Sequence, residues 1–531
     1  MRTPQSYIYP SFKLAIYNLQ SKKNYTVLMG EVVVETSYMG DLHLAQGIDH
    51  SFNNAMGRRS RSAAQVIPIT TSPSANEDGT NPGGVGVELD KQDAWLPLTE
   101  SRNGSTLSVT FHLLCSGLGI QALSLPAAFA TLGWAWGCIC LLLAFAWQLY
   151  TIRLLVLSHE SDTGTRSSRY IQLAIKAFGQ KLGKLLVMFP MIYLSNGACV
   201  QLIITGGLTM ELFFKTVCND GATAYCHPMT GTECFLVFTI MAIVVAQLPN
   251  LNSITWVSLV GSITAIVYCT MIWSISIAKG RPSGISYNPP EMESDMDRFG
   301  RILNAIGIVF LAFRGHNVIL EIQGTLPSNP KHPIHKRMWR GVIISYAIIA
   351  ICMVPLAIAG FWVHGNKVSS SSLSAILSSA SQLPGHNKTS RSILGVICIL
   401  VILHCLSTFQ IYGMVVYDNL ESKYTMRKNR PCARRLRVTF RVLFGGLAFF
   451  AAVTFPFLVS LAPLIGGLTL PMAYAYPCFM WIALKKPKPN GLTWCINVAL
   501  GCLGLVLSVV LVVAATWNLA QKGLNANFFK P

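Results

Sequence analysis

Hydrophobic residues after about residue 105 form long stretches that are separated by short polar loops. Each stretch is about long enough for an α-helix to cross a hydrocarbon core of ~30 Å. Charged residues make up 12% of the sequence, about half of the share in soluble globular proteins. The pattern predicts an all-α membrane protein with about 11 transmembrane helices. The predicted segments lie near residues 107–131, 134–157, 185–214, 234–250, 254–278, 302–323, 341–363, 393–417, 442–457, 459–484 and 493–519.

The sixth apolar segment, within Ile302–Pro327, is interrupted by polar residues at membrane depth. The interruption includes Arg314, Gly315 and His316, and Glu321 follows after a short apolar run. In lipid a continuous helix satisfies its own backbone hydrogen bonds. An interruption is therefore tolerated only where protein or a water-filled cavity surrounds it. This segment predicts a binding site.

The first apolar segment carries a second interruption at Gly117, Leu118 and Gly119, ahead of Pro126. If the first and sixth segments begin two inverted halves of the chain, both interruptions lie at the bilayer midplane. The predicted organisation is a cytoplasmic, mostly disordered tail over 1–105, a transmembrane domain over 106–519 and an outer tail over 520–531. Within the domain we predict repeats over 106–278 and 302–484 and an extra helix over 493–519.

Positive charge is concentrated in alternate loops of this topology. With the amino terminus inside, the cytoplasmic loops hold about twice as many Lys and Arg residues as the outer loops and carboxyl tail. The amino terminus is therefore predicted to be cytoplasmic and the carboxyl terminus extracellular. Basic loops facing anionic lipid account for the net charge of +19. The predicted partner is a lipid bilayer and not nucleic acid.

Most of the 15 cysteines lie inside apolar segments, where buried free thiols are usual. Cys218 and Cys226 instead share a short polar loop that the topology places outside, and Cys234 lies just beyond it. A disulfide between two of these three is predicted, and Cys218 with Cys226 is the pair that we assign. Asn387 begins a glycosylation sequon in another outer loop.

Several blocks of sequence, taken together and in order, resemble the amino acid/auxin permeases of plants, and most closely their lysine/histidine transporter-like branch. The blocks are GLGIQALSLPAAFATLGWAWG from Gly117, AFGQKLG from Ala177, QLPNLNSI from Gln247, FRGHNVILEIQGTLPS from Phe313, MWRG from Met338 and GGLTLPMAYAYPCFMW from Gly466. The resemblance implies proton-coupled amino acid uptake at the plasma membrane. It also implies an APC/LeuT-like fold of five plus five inverted helices with an eleventh appended. Because Arg314 precedes Gly315, where many relatives have small or aromatic residues, lysine and histidine specificity is not carried over.

The exposed ends of interrupted helices suit the two charges of an amino acid. Free N–H groups at the amino end of a half-helix attract a carboxylate, and free carbonyls at the opposite end attract an ammonium group. We assign the carboxylate to the backbone of Gly117, Leu118, Gly119, Ile120 and Gln121. The ammonium group is assigned to carbonyls near Ala312 and Phe313. Alternatively, the two glycines of the first interruption only allow close helix packing.

Charged and titratable residues near the second interruption leave two interpretations open. Arg314 and Glu321, about two helical turns apart, form an ion pair, or Arg314 binds a carboxylate while Glu321 carries the coupled proton. His316 is the other predicted proton carrier, and Glu211 is a further candidate. Other polar residues are predicted to line the substrate wall or are weaker candidate ligands. They are Tyr193 and Asn196, with Ser195 weaker, in the third segment, and Ser407, with His404 and Gln410 weaker, in the eighth.

No catalytic arrangement, paired metal ligands or nucleotide-binding loop is recognisable in the sequence. The stretch Gly179–Lys184 lacks the P-loop spacing. We therefore expect neither an enzyme nor a bound cofactor, and uphill transport would have to use an ion gradient. Two alternatives stay open at this point. The chain is a carrier of an amino-acid-like growth regulator, such as an auxin or aminocyclopropane carboxylate, or a non-transporting amino acid sensor. The oligomeric state is not predicted.

Overall fold

The computed structural model describes residues 95–161, 165–218, 229–281, 283–289, 294–313, 315–327, 333–368, 388–455 and 461–522. All of them belong to one compact unit, Gly79–Pro531. The regular elements in these ranges are helices. The only β-type pairing within them is an isolated bridge between Glu160 and Arg166.

The α-helices of the described ranges are numbered here in chain order. They are α1 Thr106–Gly117, α2 Leu125–Ser158, α3 Tyr170–Phe178, α4 Gln180–Ile192, α5 Ala198–Cys218, α6 Gly231–Ala246, α7 Thr255–Lys279, α8 Asp295–Ala312, α9 His316–Gly324, α10 Ile334–His364, α11 Lys388–Lys428, α12 Arg434–Thr454, α13 Ala462–Tyr474, α14 Tyr476–Lys485 and α15 Leu492–Lys522. Short 3-10 helices cover Ile120–Ser124, Asn252–Ile254 and Gly365–Lys367, and a π-helix covers Tyr193–Gly197.

Nine helical stretches in the described ranges are long and apolar enough to cross a membrane. The predicted all-α membrane protein is therefore confirmed, but the predicted count of about eleven crossings is not. Two short helices account for the difference. Helix α6 has 16 residues, and α1 has 12 residues because it ends at the Gly117 interruption. The first two predicted segments are separated at Gly133, where φ is 74° inside α2.

Helix α11 is the long element around which the site is arranged. It packs mainly against α5 and α7 and also contacts α1. Val401, Cys405 and Phe409 are buried at intervals of four residues, the spacing of one helix face. His404 and Thr408 have the same spacing and are also buried. Two polar side chains of α11 are thus held inside the bundle.

The segment before α1 is packed against the bundle from Trp95 onward, ahead of the boundary predicted at residue 105. Leu96 and Leu98 are buried. The Leu98 N–H donates to Asp418 Oδ1 (3.3 Å), and Arg437 Nη2 donates to the Trp95 carbonyl (2.9 Å). The chain from Trp95 to Leu98 is therefore fixed on the bundle by both apolar and polar contacts.

Candidate functional site at two interrupted helices

The first interruption separates α1 from the helical segment that follows it. The Leu118 N–H still donates to the Leu114 carbonyl (3.0 Å), but Gly119 is extended (φ −69°, ψ 156°). The last carbonyls of a helix have no partner within it. Here α11 supplies two: the Thr408 hydroxyl donates to the Cys115 carbonyl (3.0 Å) and the Tyr412 hydroxyl to the Ser116 carbonyl (3.3 Å). The interruption is thus held open by side chains of another helix.

The second interruption lies between α8 and α9. Helix α8 ends at Ala312, and Phe313 leaves the helical conformation (φ −96°, ψ 71°). Gly315 has φ 119°, in the left-handed region that only glycine adopts at low cost. Helix α9 begins at the next residue. Arg314, the predicted carboxylate ligand, lies outside the described residues.

A small cavity lies where the two interruptions meet. Its volume is about 30 Å³, room for only a few water-sized groups. Four of the five residues assigned to the substrate carboxylate line it, together with Ala312 from the second interruption. The fifth, Leu118, is fully buried and belongs to the same stretch of backbone. The structure therefore brings the predicted carboxylate and ammonium positions together around one space.

A second cavity, of about 40 Å³, also borders the α8–α9 interruption. Phe313, Gly315 and His316 line it, with Thr469 and Tyr474 from α13. Most of the remaining lining in the described residues is apolar. The second interruption therefore borders two spaces, one lined by several polar side chains and one largely apolar.

His316 is buried at the start of α9. Its Nε2 atom lies 2.9 Å from Thr151 Oγ1. That hydroxyl donates its own proton to the Gln148 or Trp147 carbonyl, so it accepts from an Nε2–H of His316. The other ring nitrogen, Nδ1, has no hydrogen-bond partner among the described residues. The ring is anchored on one side and retains a free acceptor.

Glu321 is a buried carboxyl group in α9, with 1% of its surface exposed. Its Oε1 atom accepts a hydrogen bond from the Tyr170 N–H (3.2 Å). Its Oε2 atom has no partner in the part of the chain that the structure describes. The predicted alternative of an ion pair with Arg314 lies outside the described residues. An ionised carboxylate in such a setting is costly, and binding a proton removes that cost.

A buried ion pair lies next to the residue that binds this carboxyl group. Arg169 Nε is 2.6 Å from Asp418 Oδ2, and both residues are almost fully buried. Arg169 precedes Tyr170, the residue whose N–H binds Glu321. Near the same end of the bundle His159, just beyond α2, is also buried. Burial, together with Arg166 and Arg102, lowers the pKa of His159 to about 3, so its ring is neutral at physiological pH.

Comparison with known proteins shows the family of this chain. A family profile described as "Transmembrane amino acid transporter protein" matches residues 102–521. The chain belongs to this family. The transporter is 48% identical over 447 residues to "Lysine histidine transporter-like 8" of Arabidopsis thaliana, covering 84% of this chain and 85% of that protein. It is 45% identical to "Lysine histidine transporter-like 7" of the same plant, covering 87% and 96%. The predicted resemblance to the lysine/histidine transporter-like branch is confirmed.

Among solved structures, the transporter is similar to MhsT in complex with L-phenylalanine. The sequence identity is 12% and the TM-score 0.48, covering 77% of this chain and 98% of that one.

Of the polar residues predicted in the third and eighth segments of the transporter, His404 lines the first cavity. Within the described residues, neither cavity is lined by Tyr193, Ser195, Asn196, Ser407 or Gln410. Tyr193 and Asn196 belong to the π-helix between α4 and α5. Ser195, in the same turn, accepts a hydrogen bond from Asn317 Nδ2 (3.4 Å). The Ser407 hydroxyl donates to the Leu403 carbonyl of its own helix (2.8 Å). A direct role of Tyr193, Asn196 and Ser407 in binding stays a prediction.

Sequence reasoning missed Thr408 and Tyr412 of α11 and Gln201 and Thr205 of α5, all of which line the first cavity. A signal was available for two of these positions. Thr408 follows His404 by four residues, and Tyr412 follows Thr408 by four, so the three share one helix face. Such a polar stripe in an apolar segment is a pointer to a lined cavity.

Only some of the residues predicted to form the disulfide and the glycosylation site lie within the described residues. Cys218 is disulfide-bonded, whereas Cys234 is a free thiol. Cys226 and Asn387 lie outside the described residues. The pairing of Cys218 with Cys226 therefore stays a prediction, and the alternative that uses Cys234 is wrong.

Gly261→Ala is expected to damage the site through packing alone. A Cβ atom at Gly261 of α7 would lie 2.5 Å from both Cys115 Sγ and Ser407 Cβ, so α1 and α11 would have to move apart. We expect a lower melting temperature in detergent and weaker amino acid binding, measured on purified protein. Gly446→Ala in α12 is the control, because nothing lies within 4 Å of its Cβ position. Equal melting temperatures for the two variants would contradict the expectation.

Proposed function

We propose that the protein imports amino acids together with protons across the plasma membrane by alternating access. The observation that carries the proposal is the cavity shared by the two helix interruptions, where Gly117–Gln121 faces Ala312. Midplane sites between broken helices are where secondary transporters bind substrate. The names of the relatives, lysine histidine transporter-like 7 and 8, support amino acids as the substrate class.

The substrate would lie across both interruptions. Its carboxylate would bind the N–H groups at Gly119, Ile120 and Gln121, where the second half-helix begins, and its ammonium group the carbonyl end of α8 at Ala312. The cavity of about 30 Å³ is smaller than an amino acid, so binding requires the walls to separate. That movement is the opening step of alternating access. Arg314 would be a further ligand of the substrate carboxylate.

The proton would be carried by Glu321, with His316 as the second candidate. Glu321 is supported by its burial and by the unpaired oxygen that it presents within the described residues. Its other oxygen binds the Tyr170 backbone next to the Arg169–Asp418 ion pair. Gain or loss of one proton at Glu321 would therefore directly change its hydrogen bond to Tyr170, the first residue of α3. Transport would draw on the proton gradient and need no cofactor.

The proposed topology follows the charge pattern of the loops. The amino terminus would be cytoplasmic and the carboxyl terminus extracellular, with inverted repeats over 106–278 and 302–484 and the added helix over 493–519. Trp95 and Leu98, which pack on the bundle, would then mark its cytoplasmic side. The Arg169–Asp418 pair would close the inner face of the transporter.

Uptake measurements test this function directly. Cells that lack their own permeases would express the full-length chain, and uptake of a panel of labelled neutral amino acids would be followed at external pH 5 and pH 7.5, with and without a protonophore. We expect uptake that is stronger at pH 5 and collapses with the protonophore. Surface expression without uptake of any amino acid would overturn the proposal and favour a growth-regulator carrier or a sensor.

A further inference from the structure

The end of α11 and the start of α12 carry a run of positive charge that the proposed transport site does not use. Residues 422–441 contain no Asp or Glu, and their basic residues are Lys423, Arg427, Lys428, Arg430, Arg434, Arg435, Arg437 and Arg441. Three of the arginines lie in the first turn of α12, which has no side-chain cap. Positive side chains are unfavourable there, because the free N–H groups of a helix start carry partial positive charge. A bound anion would offset this cost.

A groove of about 610 Å³ lies beside the start of α12; we call it the α12 groove. Its walls include Arg434, Arg437 and Arg441 of α12, Gln247 just after α6, and Glu100 of the segment before α1. The arginines are three and four residues apart, which places them on one face of the helix. The described lining therefore holds three guanidinium groups and one carboxylate.

Arg441 is the fixed part of this groove, with 2% of its surface exposed. Its Nη atoms donate to the carbonyls of Ala246 (2.8 Å), Leu248 (2.9 Å) and Pro249 (3.2 Å), and its guanidinium group lies over the Tyr417 ring. The Nε atom has no hydrogen-bond partner among the described residues. A buried N–H without an acceptor is costly. An anionic oxygen in the groove would supply the acceptor.

The other two arginines can bind an anion without disrupting the bundle. Arg437 Nε is 3.0 Å from Oε2 of Glu421, which is fully buried, and Arg437 Nη1 is 3.3 Å from Glu100 Oε2. The Glu100 side chain is 40% exposed, and exposed ion pairs contribute little. Arg434 is exposed and has no partner in the part of the chain that the structure describes. An anion can therefore bind Arg434 and replace Glu100 at Arg437.

The position of the groove favours a lipid as the source of the anion. Helix α12 is long and apolar enough to cross a membrane, and the groove lies where this helix begins. Val438, which lines the groove, and Val442 one turn later are 39% and 46% exposed. A lipid could place its headgroup among the arginines and a chain along these two valines. Basic clusters beside membrane helices attract anionic headgroups in this way.

We propose that the α12 groove binds a membrane lipid whose headgroup carries a phosphomonoester. Such a group has nearly two negative charges and three acceptor oxygens, which suits several guanidinium groups at once. The phosphate binds Arg434 and Arg437 and accepts a hydrogen bond from Arg441 Nε–H. Arg437 also donates to the Trp95 carbonyl (2.9 Å), so the lipid contacts a residue that fixes the segment before α1. This site goes beyond the proposed function and is separate from the substrate cavity.

Native mass spectrometry of the full-length protein in detergent tests the site, because it counts bound lipids directly. The probe is dioctanoyl phosphatidic acid, whose headgroup is a phosphomonoester. Dioctanoyl phosphatidylcholine has the same chains and a zwitterionic headgroup. We expect tighter binding of phosphatidic acid, and a loss of about three- to tenfold in its affinity in Arg434→Gln. This variant should fold normally, because the Arg434 side chain is exposed.

Arg340→Gln is the matched control. Arg340 is also an exposed arginine near the start of a membrane helix, α10, but it does not line the α12 groove. Its replacement should leave binding of phosphatidic acid at the wild-type level. Glu100→Gln should change the affinity in the opposite direction to Arg434→Gln. It removes the carboxylate that competes for Arg437, so we expect binding about two- to fivefold tighter.

Three results would each overturn the inference: equal affinity for the two lipids, a loss in Arg434→Gln no larger than that in Arg340→Gln, or unchanged or weaker binding in Glu100→Gln. Inorganic phosphate at the same concentration distinguishes a lipid from a free anion. It should leave the bound lipid in place, and displacement of the lipid would overturn the lipid assignment in favour of free phosphate. Because no transport is measured, these outcomes are independent of the uptake experiment that tests the proposed function.

Discussion

Glu321→Gln is expected to abolish accumulation of amino acid against a gradient while exchange of labelled for unlabelled substrate continues. Glutamine keeps an oxygen that can accept from the Tyr170 N–H, as Glu321 Oε1 does at 3.2 Å. The packing is therefore preserved, but the group can no longer gain or lose a proton. Without that step the proton gradient cannot drive net import, whereas substrate can still cross in both directions. Paired measurements of accumulation and exchange in vesicles with an imposed pH gradient check this.

Glu211→Gln is the matched control for this experiment. Glu211 is also a carboxylate in a membrane helix, but it forms an ion pair with Lys215 one turn away. Its replacement should leave accumulation near the wild-type level, which would also remove Glu211 as a candidate carrier. Accumulation driven by pH in Glu321→Gln would reject Glu321 as the proton carrier and favour His316.

Asp418→Ala is expected to lower the free energy of unfolding by about 3–5 kcal/mol, because it removes one partner of a buried ion pair. Arg169 is 4% exposed, and its guanidinium group cannot release its proton to escape the cost. The substitution also removes the acceptor of the Leu98 N–H. We therefore expect a much lower melting temperature in detergent and faster proteolysis between Trp95 and α1.

Two comparison variants separate burial from charge. Lys215→Ala breaks the Glu211–Lys215 pair, whose lysine side chain is 61% exposed, and exposed pairs contribute little. Its melting temperature should stay close to that of the wild type. The double variant Arg169→Met with Asp418→Leu should recover much of the lost stability, because it removes both charges of the pair. Destabilisation by Asp418→Ala no larger than that by Lys215→Ala would refute the assignment of this pair as a structural element.

The two interruptions could be found from sequence because each breaks a local rule. Gly117–Gly119 and Gly315 with its polar neighbours are incompatible with a continuous helix in lipid, and the structure ends α1 and α8 at these places. The side chains that complete the first interruption were harder to find. Thr408 donates to the carbonyl of Cys115, which is 293 positions away. The local pattern of α11 does not indicate that partner.

The sequence by itself determined the class of protein, the positions of most helices and the two places where helices break. Those features follow from hydropathy and backbone chemistry, which act over a few turns of chain. Only the tertiary structure decided which groups meet. It placed Ala312 and Gly117 around one cavity, paired Arg169 with Asp418, bonded Glu321 to the Tyr170 N–H, and set His404 against the Gly261 carbonyl. Such contacts depend on how helices that are distant in sequence pack against each other. The pattern of residues along the chain does not determine the distance between these helices.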